Sequence, residues 1–220
     1  WAHKICEPGA NSERSTPTKY LFVSAPGVNT SAGAVYMYEW AVGLDGSTYD
    51  SWTQCLTIVS ADTGTNKKFG QSLEANDNGD ILAVQSRSPG EAGKVEIFRR
   101  TSQSSDDSVQ HSFTLVQTLT GISVDGSSLN RGFGSSLSMS KDGTTLIIGA
   151  PGADKPGQAD AGAIYYYKWD ADGDSTLAYT LQQTISAPNT QINMKFGSTV
   201  DINDAGTRLV IGAEKFANQR

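Results

Sequence analysis

Phe133-Gly134-Ser135-Ser136-Leu137 leads through Lys141-Asp142-Gly143 to Leu146-Ile147-Ile148-Gly149-Ala150-Pro151, and the chain then writes this stretch again. It returns as Phe196-Gly197-Ser198-Thr199-Val200, Asp204-Ala205-Gly206 and Leu209-Val210-Ile211-Gly212-Ala213. An earlier copy runs from Phe69-Gly70-Gln71-Ser72-Leu73 through Asn78-Gly79 to Leu82-Ala83-Val84. The three Phe-Gly pairs stand at intervals of 64 and then 63 residues. A period of that size marks one supersecondary unit stacked on copies of itself, and this decides the fold as a repeat array.

Each unit reads as four short strands, here A to D. Strand A follows the Phe-Gly pair, as in Leu137 to Ser140. Asp142-Gly143 closes a tight turn, because a short hairpin needs positive φ, which Gly supplies freely. Strand B is the apolar run Leu146-Ile147-Ile148, which suits a strand covered on both faces. Strand C is Ala161-Gly162-Ala163-Ile164-Tyr165-Tyr166-Tyr167-Lys168-Trp169, nearly a copy of Ala32-Gly33-Ala34-Val35-Tyr36-Met37-Tyr38-Glu39-Trp40. Ala92-Gly93-Lys94-Val95-Glu96-Ile97-Phe98 is its more polar form. Alternation places Tyr36, Tyr38 and Trp40 on one face and Val35 and Met37 on the other, so both faces are expected to pack against neighbouring sheets. Strand D repeats an aromatic, a Thr, three residues, a Thr and an aliphatic: Trp52 to Ile58, Phe113 to Leu119 and Tyr179 to Ile185.

The whole of residues 1–220 therefore reads as one array, with units at about 8–60, 69–120 and 133–186 and a partial one at 196–213. In the first unit Pro8-Gly9 stands for the Phe-Gly pair and Ala10 to Ser15 for strand A. The expected class is all-β, and four-stranded units of this length fit the blades of a β-propeller. Three and a half blades do not close a ring, so the rest of a longer polypeptide or a partner is expected to complete it. The opening at Trp1, without Met or an apolar leader, agrees with a processed or partial chain.

Composition narrows the partners. Aromatics at 9% and 23 Gly suit short strands and tight turns, while charged residues at 18% are too few for a disordered tail. A net charge of −6 without a basic stripe argues against nucleic acid. Runs such as Ile81-Leu82-Ala83-Val84 are too short to span a membrane. The two cysteines, Cys6 and Cys55, allow one disulfide or two unlinked thiols. Asn29-Thr30-Ser31 is the sole N-glycosylation sequon, at Asn29.

The Phe-Gly…Gly-Ala-Pro frame followed by Ala-Gly-Ala-Ile-Tyr-Tyr-Tyr resembles the FG-GAP repeats of integrin α-chain propellers. That resemblance runs from about Pro8 to Ala213 and is clearest from Phe133 to Ile185. It implies a seven-bladed, extracellular or cell-surface propeller that binds other proteins or matrix. Gln85-Ser86-Arg87 and Gly212-Ala213-Glu214 depart from the Gly-Ala-Pro frame. In many members of the family the loop between strands A and B holds calcium through oxygen side chains at loop positions one, three, five and nine. Here those positions read Ser138, Ser140, Asp142 and Leu146, or Asp201, Asn203, Ala205 and Leu209. The loop of Glu74, Asn76, Asn78 and Leu82 is the one candidate metal site. Calcium takes six to eight oxygens with several carboxylates among them, so plain hairpin turns and no cofactor are expected.

Other constellations carry less chemistry. Asp170-Ala171-Asp172-Gly173-Asp174 lacks the spacing of an EF-hand loop and reads as an acidic hairpin between strands C and D. His3 and His111 sit in no catalytic frame, and Arg131-Gly132 is followed by Phe133 rather than Asp. The expectation is that the chain is not an enzyme. It is read as an extracellular protein–protein interaction or structural module of an adhesion-like surface assembly. Other proteins, copies of itself or the rest of a longer chain would be its partners. Binding is expected at the loops Val28 to Ser31, Asp154 to Asp160 and Thr120 to Arg131. One alternative is a carbohydrate-binding or polysaccharide-active propeller using the strand C aromatics. The other is an architectural subunit of a filament or virion.

Overall fold

A computed structural model describes residues 2–7, 19–41, 51–62, 64–87, 92–105, 108–121, 131–170, 178–189 and 191–215. These residues are all-β, in four small antiparallel sheets laid down in chain order. The first contains β1 (His3–Cys6), β2 (Tyr20–Ala25), β3 (Ala34–Ala41) and β4 (Ser51–Ile58), hydrogen-bonded in that order. The second contains β5 (Leu73–Ala75), β6 (Ile81–Ser86), β7 (Lys94–Ser105) and β8 (Ser108–Thr120). The third contains β9 (Ser136–Met139), β10 (Thr145–Ala150), β11 (Ala163–Asp170) and β12 (Ala178–Ile185). β13 (Phe196–Ile202) and β14 (Leu209–Ala213) form the fourth. Among the described residues helix is confined to the single turn Val28–Ser31, in which Asn29 and Thr30 both have positive φ.

One expected boundary moves. The strand paired with β2 is His3–Cys6, in register from His3↔Val23 to Cys6↔Tyr20, so the first unit begins there rather than at Pro8. Ala10 to Ser15, read as that strand, lie outside the described residues. The β1 segment is short and half polar, which hides it from a search for apolar runs.

Each sheet has a fore face toward the preceding sheet and a rear face toward the next. Alternation along β3 and β11 puts Tyr36, Tyr38, Trp40, Tyr165, Tyr167 and Trp169 on the fore face and Val35, Met37, Ile164 and Tyr166 on the rear. The rear face of the first sheet (Phe22, Met37) packs with the fore face of the second (Leu82, Phe98). The rear face of the second (Ala83, Ile97) buries Tyr165 and Tyr167 of the third. The rear face of the third (Ile147, Ile164) packs with Ile202 and Ile211 of the fourth. The strand C tyrosines of the third sheet are thus packing residues between sheets.

The two strongest sequence signatures meet across these joints. The Ala32 carbonyl accepts from Phe69 N–H at 2.9 Å, the Ala92 carbonyl from Phe133 N–H at 3.2 Å and the Ala161 carbonyl from Phe196 N–H at 3.1 Å. Each Ala-Gly before strand C therefore docks on the Phe-Gly of the next sheet. A Cβ on Gly33, Gly93 or Gly162 would lie 2.2, 2.5 or 2.2 Å from the facing Phe carbonyl oxygen. Only glycine allows that approach, which is why the dipeptide recurs.

Every full sheet also carries a β-bulge in strand D at one equivalent place. Register shifts between Met37/Tyr38, Ile97/Phe98 and Tyr166/Tyr167 leave Cys55, Val116 and Gln182 as the extra residues. Each is the middle residue of the aromatic-Thr…Thr-aliphatic motif, so the motif's odd spacing encodes the bulge.

Candidate functional site

One end of the array gathers the strand B-to-C loops and the links from strand D to the next Phe-Gly. These are fastened backbone to backbone. Lys68 N–H donates to Ser31 O at 2.8 Å, and Asn66 N–H donates to Thr30 O at 3.3 Å. In the third and fourth sheets Asn193 N–H donates to Ala159 O at 2.9 Å and Lys195 N–H to Asp160 O at 3.0 Å. The donors Asn66, Lys68, Asn193 and Lys195 and the acceptor Asp160 all have positive φ, so the backbone conformation repeats although the residues vary. The result is a fixed platform.

Within it the 154–160 loop is a small hairpin. Lys155 and Gln158 exchange two backbone bonds, at 3.0 and 2.8 Å, and the Asp154 carboxylate accepts from Asp160 N–H at 2.8 Å. Gly157 tops the turn with open space around it. Of the two other expected loops, Val28 to Ser31 lies on the platform, and residues 122–130 lie outside the described residues. Asn29 is exposed there, in the left-handed turn.

Beneath the platform, between the first and second sheets, lies a cluster the sequence did not assemble. Glu96 on the fore face of β7 is buried and occupies the place of Tyr36 and Tyr165 in the neighbouring units. Its Oε1 accepts from Ser60 Oγ at 2.7 Å and pairs with Lys94 Nζ at 2.7 Å. Lys94 Nζ also lies 3.5 Å from Asp62 Oδ2, which Lys67 Nζ approaches to 3.2 Å. The Gly64 N–H and then Lys67 hold the Asp62 carboxyl below the usual range. Glu96 Oε2 and Ser86 Oγ are buried without a hydrogen-bond partner among the described residues. The signal available in the sequence was the polar form of strand C together with the loss of Gly-Ala-Pro at Gln85-Ser86-Arg87.

The candidate calcium loop turns its side chains to separate tasks. Glu74 pairs with Lys4 Nζ at 2.5 Å. Burial pushes the Glu74 carboxyl above its ordinary value, and the pair offsets this only in part. Lys4 is pulled down by burial but more strongly raised by Glu74. Asn76 Oδ1 accepts from Asp80 N–H at 3.1 Å and Ile81 N–H at 3.0 Å, closing its own turn. Asn78 offers its backbone carbonyl to Arg100 at 3.2 Å. The equivalent Ser140 and Asn203 close their turns in the same manner, on Thr145 N–H and Arg208 N–H. Among the described residues no three His, Cys, Asp or Glu side chains form a metal-binding group. Millimolar calcium is expected to leave the melting temperature unchanged; a rise of several degrees would overturn the assignment of these loops as self-closed turns.

The Cys6–Cys55 disulfide is corrected: both thiols are free. Cys6 lies on β1 and Cys55 on β4, at opposite edges of one sheet. Three strand spacings are about 14 Å, against the 4.4–6.8 Å span of a disulfide. Burial pushes the Cys6 thiol up to about 12. Partial burial of the sulfur, which donates to Met37 O at 3.4 Å, raises Cys55 to about 11. Reductant is therefore expected to leave the melting temperature unchanged, with two thiols titrating on unfolding. A fall of several degrees on reduction would sink the assignment, since losing a native disulfide costs about 2–5 kcal/mol.

His3 lies exposed on β1, while His111 on β8 packs edge-on against Tyr20, 5.6 Å between ring centroids, and reaches Glu39 at 3.4 Å. The two histidines are thus on different sheets and share no site. Residues 171–177 of the acidic hairpin lie outside the described residues. No described helix is long and apolar enough to cross a membrane.

Comparison with known proteins bears on these features. No curated protein sequence matches the chain. Among solved structures with a similar trace is a "putative 6-phosphogluconolactonase" from Bacteroides fragilis, at 16% identity and a TM-score of 0.48. The similarity covers 92% of this chain and 50% of that one, so the chain spans half the length of that structure. The expectation that the chain is not an enzyme is withdrawn, since that neighbour bears an enzyme's name; at that level of similarity it assigns this chain no activity either way. Residues 114–167, from strand D of the second sheet through strand C of the third, match the FG-GAP repeat family. The chain contains an FG-GAP repeat there.

Proposed function

We propose that this chain is an interaction module of an extracellular or cell-surface assembly, built as part of an FG-GAP propeller of the integrin-like kind. Support for the propeller comes from the face-to-face succession of sheets, each joined to the next through Ala-Gly and Phe-Gly. Support for interaction rests on one observation. The loops at one end are locked to each other by backbone hydrogen bonds, so a partner would meet a preorganised surface and little ordering entropy would oppose binding. The 154–160 hairpin, which projects from this platform, is the element assigned to partner contact, and adhesion to other proteins is the role that suits it.

The test replaces residues 155–158 with a two-residue turn, which keeps the Ala159 and Asp160 carbonyls that accept from Asn193 and Lys195, and measures binding of the labelled chain to intact source cells. Folding is expected to survive, because a Cβ added at Gly157 would meet nothing within 4 Å and Lys155 and Gln158 bond each other. Binding is expected to fall at least tenfold. Equal binding by both forms would overturn this surface, and inhibition by free oligosaccharides rather than by cell-surface protein would favour a carbohydrate ligand.

A further inference from the structure

The second sheet departs from the repeat at two places, and the two meet. In strand C it has Arg100 where the first and third sheets have Trp40 and Trp169. All three donate their N–H to the carbonyl just before strand B, on Asp80, Lys19 and Thr144, at 2.8, 2.9 and 2.8 Å. In the turn between β5 and β6 it has Asn78 before the glycine, where the third and fourth sheets have Asp142 and Ala205. Asn78-Gly79 is the one Asn-Gly pair in the sequence. Arg100 Nη2 donates to Asn78 O at 3.2 Å, and the guanidinium lies over the Tyr20 ring, 4.1 Å from its centroid. Asn78 is exposed, while Gly79 is buried with a φ of 62°. The neighbouring sheets fold alike without this combination, so the repeat itself does not call for it.

We propose that Asn78 is a site of self-modification, at which the Gly79 backbone nitrogen displaces ammonia from the Asn78 carboxamide and Arg100 activates the attacking peptide group. Hydroxide takes the Gly79 N–H proton, the nitrogen bonds to Asn78 Cγ, and the carboxamide C–N bond breaks to release ammonia. Water then opens the cyclic imide. Opening at Cγ leaves an ordinary aspartate at position 78; opening at the main-chain carbonyl leaves an isoaspartate, with the chain running through the former side chain. Glycine sets no side chain against ring closure. The charge left when Gly79 loses its proton is shared with Asn78 O, because the peptide group is conjugated. Arg100 donates to that oxygen, and a cation hydrogen-bonded to a charged form favours it. One bond opposes attack, from Gly79 N–H to Asn76 O at 3.0 Å. The third and fourth turns make the same bond, from Gly143 to Ser140 at 2.9 Å and from Gly206 to Asn203 at 2.8 Å, so Arg100 is what this turn adds. The aspartate product suits the turn, since the Asp142 carboxylate accepts from Thr144 N–H at 2.9 Å and Ser140 Oγ at 2.6 Å in the equivalent place. The isoaspartate product does not. It lengthens the backbone of a turn whose Asn76 Oδ1 must still reach Asp80 and Ile81 N–H. Gly79 also lies against the first sheet, where an added Cβ would stand 3.2 Å from Tyr20 and 3.3 Å from Cys6. That product therefore loosens the joint between the first and second sheets.

The experiment incubates the folded chain in mildly alkaline buffer and follows each asparagine by peptide mass spectrometry, with isoaspartate read by an isoaspartyl methyltransferase assay. Wild type is expected to gain acid at Asn78 ahead of every other asparagine, as both products, and the converted fraction should melt lower. Arg100→Gln and Arg100→Trp, the second restoring the residue of the neighbouring sheets, should keep the wild-type circular dichroism and convert at least threefold more slowly. The direction of that change is decisive. If Arg100 merely held the turn together, its loss would free the Gly79 N–H and speed the reaction. Folded variants that convert as fast as wild type or faster would overturn the proposal. So would a folded wild type whose Asn78 stays an amide while the urea-unfolded chain converts. Acid accumulating equally in Asn78→Gln would also overturn it, since glutamine must close a larger and slower ring.

Discussion

Gly33→Ala lowers the stability of the protein by about 4 kcal/mol, whereas Gly157→Ala costs about 1 kcal/mol, although both glycines have positive φ. The comparison separates two costs. At Gly157 φ is 72° and an added Cβ meets nothing within 4 Å, so only the left-handed backbone disfavours alanine. At Gly33 φ is 89°, and the Cβ would stand 2.2 Å from Phe69 O and 2.6 Å from Phe69 N. Those atoms are backbone, held by the Phe69 N–H to Ala32 O bond, and cannot swing away as a flexible side chain could. Relief requires the first and second sheets to part, which opens the core of Phe22, Met37, Leu82 and Phe98. In a domain of this size about 4 kcal/mol corresponds to roughly 10 °C in melting temperature. Thermal and urea melts of the two variants check it; equal losses would mean that the close approach at this joint is not what fixes glycine there.

The same joint explains how far the fold could be read without coordinates. Phe-Gly and Ala-Gly were visible as separate signatures because each repeats, and the strands between them followed from apolar runs and turn residues. Their pairing across a sheet boundary was not visible, since a one-dimensional pattern records spacing along the chain and not contact between units. The strand D motif was legible as well, while its meaning as a bulge needed the register that drops Cys55, Val116 and Gln182. Where a unit lacked its markers, reading failed. Pro8-Gly9 drew the first boundary too late, and His3–Cys6 was missed because four half-polar residues give no periodic signal.

The candidate site was less legible for a related reason. Asn76, Ser140 and Asn203 were recognised as loop oxygens, but an oxygen that closes its own turn and one that binds a cation look alike in sequence. The cysteines were weighed as a pair because there are two of them; only the strand order sets them at opposite edges. Glu96 stood within the polar form of strand C, where the other full units have Tyr36 and Tyr165. Its partners Ser60 and Lys94 come from a linking segment and from its own strand, a combination that no motif announces.

Removing the Lys94 ammonium is expected to be as damaging as a large core truncation. Glu96 has a side chain only 1% exposed and pairs with Lys94, whose side chain remains 24% exposed. A carboxylate that far from water is tolerable while an ammonium and a hydroxyl share its Oε1, and its Oε2 is already without a partner. Lys94→Met keeps the length and packing of the side chain but leaves the buried carboxylate to Ser60 alone. Breaking one side of such a pair costs about 3 kcal/mol or more. Desolvation, and not attraction, sets that magnitude, which can be shown by removing the charge that suffers it. Lys94→Met/Glu96→Leu presents an apolar pair where the neighbouring units have Ala34 with Tyr36 and Ala163 with Tyr165, and is expected to recover at least half of the loss. Ser60 Oγ still accepts from Asp62 N–H at 3.0 Å, so only its own proton is left without an acceptor. Urea midpoints of the two single variants and the double variant close a double-mutant cycle. Additive losses, or a Lys94→Met variant within about 0.5 kcal/mol of wild type, would show that Glu96 is not held by Lys94 and that the polar form of strand C has another cause.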